Sequence, residues 1–322
     1  MRKVVFVLCL LFIVFTSVEK AFTSPAFSYS SKVDTGSDTI IIDVRAQQLC
    51  LKGSLSGARC LPASDFFGPH GRLVNFPDLS WLLGTVGLSG SEHVLVVGNS
   101  PMKRDFVAGI IYLAGQQKVT ILSVSFAELE ANSIDFSAGE KRANTRYAVH
   151  SRPFRAELII FRNELDALLT SNKLPDLLDG RSEKEYWGEN IRSLRGGHVP
   201  GAQLLTATDL RALLKKDPQS IPNFSAPIVY AHNTLESVAY FSLLRAGFGL
   251  ESRVFLAGWA DWAMELSLPV DSLSYPDKIS LNKSSNPEMH TQTDNYWVIS
   301  ITIILAGLIL MVWGFSFQKR KT

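Results

Sequence analysis

The chain has 322 residues, 46% of them hydrophobic, which is enough to bury two cores of ordinary domain size. Its formal charge is only +2 and no long basic stripe interrupts it, which argues against nucleic acid as a partner. Its cysteines and histidines lack the clustering of a metal site, and no phosphate loop or nucleotide fingerprint occurs, so neither a metal nor a cofactor is expected.

At the N-terminus, Met1-Arg2-Lys3 precedes an apolar run from Val4 to Phe15, followed by small and polar residues through Ser28. A charged region, a short apolar stretch and a small-residue exit describe a secretory signal over residues 1–26, with cleavage near Ala26. Cys9 lies within the apolar run and lacks the small-residue context of a lipoprotein site; an uncleaved anchor is the alternative.

The body carries one pattern twice. In the first copy, residues 27–136, Thr39-Ile40-Ile41-Ile42-Asp43-Val44-Arg45 reads as an apolar strand closed by Asp-x-Arg. Gly53 to Ala58 follows as a turn, Val94 to Val97 as a strand, Gly98-Asn99-Ser100-Pro101-Met102-Lys103-Arg104 as a loop, Phe106 to Ala114 as a helix and Val119 to Leu122 as a strand. The polar stretch 137–153 is the expected linker. In the second copy, residues 154–271, Arg162 to Leu169 reads as a helix, and Leu177-Leu178-Asp179-Gly180-Arg181 repeats the strand and its Asp-x-Arg. Gly197-His198-Val199-Pro200-Gly201-Ala202 is its turn and Ile228-Val229-Tyr230 its central strand. The loop Ala231-His232-Asn233-Thr234-Leu235-Glu236-Ser237 then leads into a helix to Gly247, and the copy closes on Arg253 to Trp262. Short β-branched runs alternating with helical segments predict α/β architecture, a parallel sheet flanked by helices in each copy.

Residues 272–295, rich in Ser, Asn, Pro and Lys, read as a juxtamembrane linker. Tyr296 to Phe317 contains no charged residue and is long enough to cross a hydrocarbon core of about 30 Å. Aromatic residues near its ends and the basic tail Lys319-Arg320-Lys321 within 318–322 predict one C-terminal transmembrane helix with the tail in the cytoplasm. The short basic signal points to a bacterial inner membrane with the body facing the periplasm.

The order of motifs in the second copy resembles the rhodanese (sulfurtransferase) family: an opening Asp-x-Arg, a Gly-His-Ile-Pro-Gly-Ala turn, a strand ending at a catalytic Cys, and a closing Gly-Gly-Trp-x-x-Trp. The whole body, Ile40 to Val270, resembles the tandem form, in which the N-terminal copy lacks the Cys. The resemblance implies two rhodanese-like domains and places Ala231 where the family has its sulfur-carrying Cys. It also places Glu236 where active members commonly have Arg, and Thr234 where a Gly is usual. A carboxylate there would repel thiosulfate and raise a restored thiol's pKa. His232 and Ser237 offer no substitute nucleophile; Ser237 suits the helix start, His198 a structural hydrogen bond, and Trp259 and Trp262 a core. In the first copy Lys103 and Arg104 are the anion-binding candidates. Cys50 and Cys60, the only thiols beyond the signal, are a disulfide candidate in an oxidising compartment, with a redox-active pair as the weaker alternative.

The expected function is therefore a membrane-anchored tandem rhodanese-like protein, inactive as a sulfurtransferase, acting as a binding or scaffold module for a protein partner outside the cytoplasm. The alternative is a divergent sulfurtransferase or sulfur-relay component. No small-molecule ligand is legible.

Overall fold

The structure is a computed structural model that describes residues 26–272, apart from 34–35, 133, 172–174 and 218–220. The signal-peptide run, nearly all of the juxtamembrane linker, the transmembrane segment Tyr296 to Phe317 and the tail therefore lie outside the described residues. Among the described residues, no helix is long and apolar enough to cross a membrane. All of them fall within one compact unit.

The first half contains β1 (Phe27–Ser30), β2 (Thr39–Asp43), α1 (Gln47–Lys52), β3 (Ser54–Leu55), β4 (Arg59–Cys60), α2 (Phe76–Thr85), β5 (His93–Val97), α3 (Pro101–Leu113), β6 (Lys118–Leu122), α4 (Phe126–Ala131), β7 (Phe136–Ser137) and β8 (Glu140–Lys141). The second half contains β9 (Ile159–Ile160), α5 (Arg162–Leu169), β10 (Leu177–Asp179), α6 (Glu183–Trp187), β11 (Gln203–Leu204), α7 (Ala207–Lys216), β12 (Ile228–Tyr230), α8 (Thr234–Phe248), β13 (Arg253–Phe255) and α9 (Gly258–Met264).

Each half builds a parallel sheet, ordered β1-β6-β5-β2-β4-β8 in the first and β9-β13-β12-β10-β11 in the second. Strand for strand the order is the same, with β8 added at one edge. The registers align too: Asp43 pairs with Val97 as Asp179 pairs with Tyr230. Strands this apolar must be covered on both faces, which is why their sequences read as continuous β-branched runs. Residues 137–153, read from the sequence as a linker, contribute Ser137 to the β3–β7 pair and Glu140–Lys141 to the first sheet.

Helices α3 and α8 carry the contact between the halves. α3 is buried continuously from Arg104 to Leu113 and α8 from Ser237 to Leu244, so neither shows a clear amphipathic stripe there. Gly109 permits the close approach, because a Cβ there would collide with Ser242 Oγ and the Val238 side chain. Tyr112 of α3 stacks on Phe27 with ring centroids 4.5 Å apart, and the Arg155 guanidinium lies 4.0 Å above the same ring.

A disulfide joins Cys50 of α1 to Cys60 of β4. Both sulfurs are buried, and Gly139 sits against them so tightly that a Cβ would lie 2.5 Å from Cys50 Sγ. Closing this short loop contributes about 2–3 kcal/mol in the chain-entropy treatment. Mass spectrometry of non-reduced peptides is expected to find the pair linked, and reduction should lower the denaturation midpoint accordingly. Two freely alkylated thiols in the native protein would contradict this.

Candidate functional site

The two Asp-x-Arg motifs fold into the same structure. Arg181 donates its backbone N–H to Asp179 Oδ1 at 2.9 Å and its Nη2 to Asp179 Oδ2 at 2.6 Å, then reaches Gly197 O with Nη2 at 2.8 Å. Arg45 does the same with Asp43 at 2.9 and 2.7 Å, and its Nη2 reaches Gly53 O. Each arginine therefore ties the end of a central strand to the first glycine of the following turn. In the second half that turn is further fixed by Tyr186 Oη donating to Ala202 O at 2.6 Å. His198 stacks on the Tyr186 ring at 3.6 Å, and its Nδ1 lies 3.0 Å from Tyr186 O. This is the structural hydrogen bond expected of His198; burial pushes its imidazole below the ordinary range.

Beyond Tyr230 the chain makes a turn much shorter than the loop read from the sequence. Asn233 caps α8 by accepting from Glu236 N at 3.0 Å, so the helix begins at Thr234 and Ser237 lies inside it. Ser237 does not cap the helix; its Oγ accepts from Ala231 N at 3.0 Å. The carbonyls of Ala231 and His232 accept from Trp259 N and Ala260 N, at 2.9 and 2.7 Å. The N-terminus of α9 is thus docked on the turn itself, and Trp259 and Trp262 are buried beneath it. Ala231 is 3% exposed, its amide is taken by Ser237, and its side chain offers only a methyl group.

The charge around the turn differs from the expectation for Glu236. Arg192 donates Nη2 to Glu236 Oε1 at 2.6 Å and Nη1 to Glu185 Oε1 at 2.9 Å, bridging the two carboxylates. Glu236 is therefore not an unanswered negative charge, and the repulsion it was expected to exert on an anionic donor is largely offset. Burial pushes Glu185 up, but hydrogen bonds from Ser182 and Arg192 outweigh it and hold the carboxyl below its ordinary value. His232 is buried beside this group, with Nδ1 3.8 Å from Glu185 Oε1 and no hydrogen-bond partner for that nitrogen among the described residues. Burial first, and then the Arg192 charge, lower its pKa.

These histidines have a consequence for stability. Their folded pKa values lie below the ordinary imidazole value, so between the two the unfolded chain binds more protons and stability rises with pH. The urea midpoint is expected to fall as pH drops from about 7 towards 5, and His232→Gln should flatten part of that slope. The low-pKa carboxylates act in the same direction, but below the ordinary carboxylate range. A midpoint that is flat or rises on acidification to pH about 5 would contradict the burial of these imidazoles as neutral rings.

The equivalent turn of the first half, Gly98 to Arg104, matches residue for residue: Ser100 caps α3 as Asn233 caps α8. Lys103 occupies the place of Glu236 and Arg104 that of Ser237. The two candidate cations part company here. Lys103 is exposed at a small hollow with Arg45, Asn99 and Ser100, whereas Arg104 is 5% exposed and points inward. Sequence reasoning missed Arg192, 44 residues from Glu236 along the chain, and Glu185 as its second partner.

Residues 161–265 match the family described as Rhodanese-like domain, so the second half is a rhodanese-like domain. Among solved structures, the chain is similar to EanB in complex with ergothioneine, with a TM-score of 0.59 and 18% identity over 73% of this chain and 64% of that one. It is likewise similar to EanB carrying a cysteine persulfide in a tetrahedral intermediate state with ergothioneine, with a TM-score of 0.59, 19% identity, and coverage of 75% and 66%. YnjE matches with a TM-score of 0.60 and 18% identity over 74% of this chain and 64% of that chain. The chain spans somewhat less than two thirds of each of these structures, and at these identities the likeness is one of fold. No curated protein matches the chain.

Proposed function

We propose that the protein is a membrane-anchored tandem rhodanese-like pseudoenzyme, whose exported body serves as a binding or scaffold module. The observation that carries this reading is Ala231. It follows β12, where the family resemblance places the sulfur-carrying cysteine, and it offers only a nearly sealed methyl group. Without a thiol the persulfide cannot form at this turn, and covalent sulfur transfer has no first step. The repeated strand order and the repeated Asp-x-Arg clamp support a tandem origin for the first half. The apolar segment Tyr296 to Phe317 and its basic tail support a single C-terminal anchor with the body on the periplasmic side.

The alternative is a divergent sulfurtransferase that carries sulfur on another cysteine. One of the similar structures bears a cysteine persulfide, and here Cys50 and Cys60, joined in a disulfide, are the only cysteines outside the N-terminal apolar run. Mass spectrometry of the chain after its disulfide is reduced and it is exposed to thiosulfate separates the two readings, because only a free thiolate can take the sulfane sulfur and release sulfite. An unmodified chain is expected; a sulfur adduct on Cys50 or Cys60 would transfer support to the relay. For the anchor, protease added at the outer face should digest the body and spare a tag fused after Thr322.

A further inference from the structure

A second cluster of charge lies away from the Ala231 turn, where the two halves meet. A cavity of about 420 Å³ opens between β1, the first turn of α3 and α7. Three cations border it: Arg104 from α3, and Arg211 and Lys215 from α7. Arg104 is 5% exposed; its Nη1 donates to Gly98 O at 3.2 Å, but its Nε has no hydrogen-bond partner among the described residues. Arg211 Nη2 donates to Asp105 Oδ2 at 2.6 Å. Asp105 is fully buried, and its other oxygen lies 3.9 Å from Arg104 Nε. Among the described residues Asp105 is the carboxylate that pairs with both arginines, while Glu128 lies near enough to Lys215 to feel its charge, so the two arginines share one negative charge. Tyr29 also lines the cavity, with its hydroxyl beside Asp105 and Arg211 but in strict hydrogen-bond geometry with neither, while Leu214 supplies an apolar wall.

A buried guanidinium with an open donor is costly unless something accepts from it. Two arginine forks and a lysine around one concavity match the oxygens of carboxylates and phosphates. We infer that this cavity binds a small organic dianion, held by Arg104, Arg211 and Lys215, with its apolar part against Leu214. This inference is independent of the Ala231 reading, since no residue of the cavity belongs to that turn. It gives the binding module a ligand class, either a phosphate ester or a dicarboxylate.

The test is isothermal titration of the purified full chain with inorganic phosphate and with succinate, at matched ionic strength in sodium chloride. Saturable one-to-one binding of either probe is expected, and the better of the two identifies the oxyanion. Lys215→Glu changes an exposed residue, so it should leave the melting temperature unchanged while weakening that probe about tenfold or more. Arg104→Met should abolish binding; if that variant fails to fold, Lys215→Glu decides alone. Absence of saturable binding for both probes, or binding that Lys215→Glu leaves intact, would overturn the inference.

Discussion

Asp179→Ala or Arg181→Met should destabilise the folded body by about 3–5 kcal/mol, because each leaves the partner's charge buried and unanswered. The two side chains are 0% and 1% exposed and share a bidentate pair. Burial pulls the Arg181 pKa down, but the Asp179 charge and its hydrogen bonds outweigh this and hold the guanidinium firmly protonated. Losing Arg181 also releases Gly197 O, and with it one tie to the turn that carries His198. The equivalent Arg45→Met should cost less, because the Arg45 side chain is 12% exposed and Ser54 Oγ still donates to Asp43 Oδ2 at 2.7 Å. Replacing both partners, Asp179→Leu with Arg181→Met, should cost less than either single change. Chemical denaturation of the four variants checks the order; a loss below about 1 kcal/mol for Arg181→Met would contradict the buried-pair account.

The second large effect is expected at Gly258, the first residue of α9. Its φ of +68° already disfavours any side chain, and a Cβ would lie 2.5 Å from Ala231 O and 2.6 Å from Ser237 Oγ. Both are buried atoms already committed to hydrogen bonds, so neither can give way without loosening the turn. Gly258→Ala is therefore expected to cost roughly 2–4 kcal/mol and to displace Trp259, visible as a change in near-ultraviolet circular dichroism. Gly201 provides the control. Its φ is +78° but nothing lies within 4 Å of a Cβ, so Gly201→Ala should cost only about 1–2 kcal/mol, the backbone part alone. Equal losses at the two glycines would show that α9 does not dock on the turn as described.

The sheets were legible because their central strands are uninterrupted β-branched runs: Ile40 to Ile42, Val94 to Val97 and Ile228 to Tyr230 all lie in strands. Arg162 to Leu169 was legible as a helix because only one face of it is buried. β1 was not, since Phe27 to Ser30 sits among small polar residues at the exit of the signal-like run and gains its strand pairing from β6, about ninety residues on. The start of α8 was misplaced at Ser237, although Asn233 followed three residues later by Glu236 is a helix-start signal that would have found it. The ion pairs that set the local charge, Arg192 with Glu236 and Arg211 with Asp105, join residues 44 and 106 apart. No local pattern announces them, and the pairing of Arg192 offsets most of the repulsion that Glu236 alone suggests.

That offset sharpens the test of the central claim, that Ala231 leaves the body without sulfurtransferase chemistry. The measurement is thiocyanate formation from thiosulfate and cyanide by the full chain, beside Ala231→Cys and Ala231→Cys with Glu236→Arg. The unmodified chain should match the blank. Ala231→Cys should remain close to it, because the position is nearly sealed and its amide is held by Ser237. Adding Glu236→Arg should give little further gain, since it removes one of the two carboxylate partners of Arg192 and sets two guanidinium groups side by side. Thiocyanate above the blank from the unmodified chain would contradict the account.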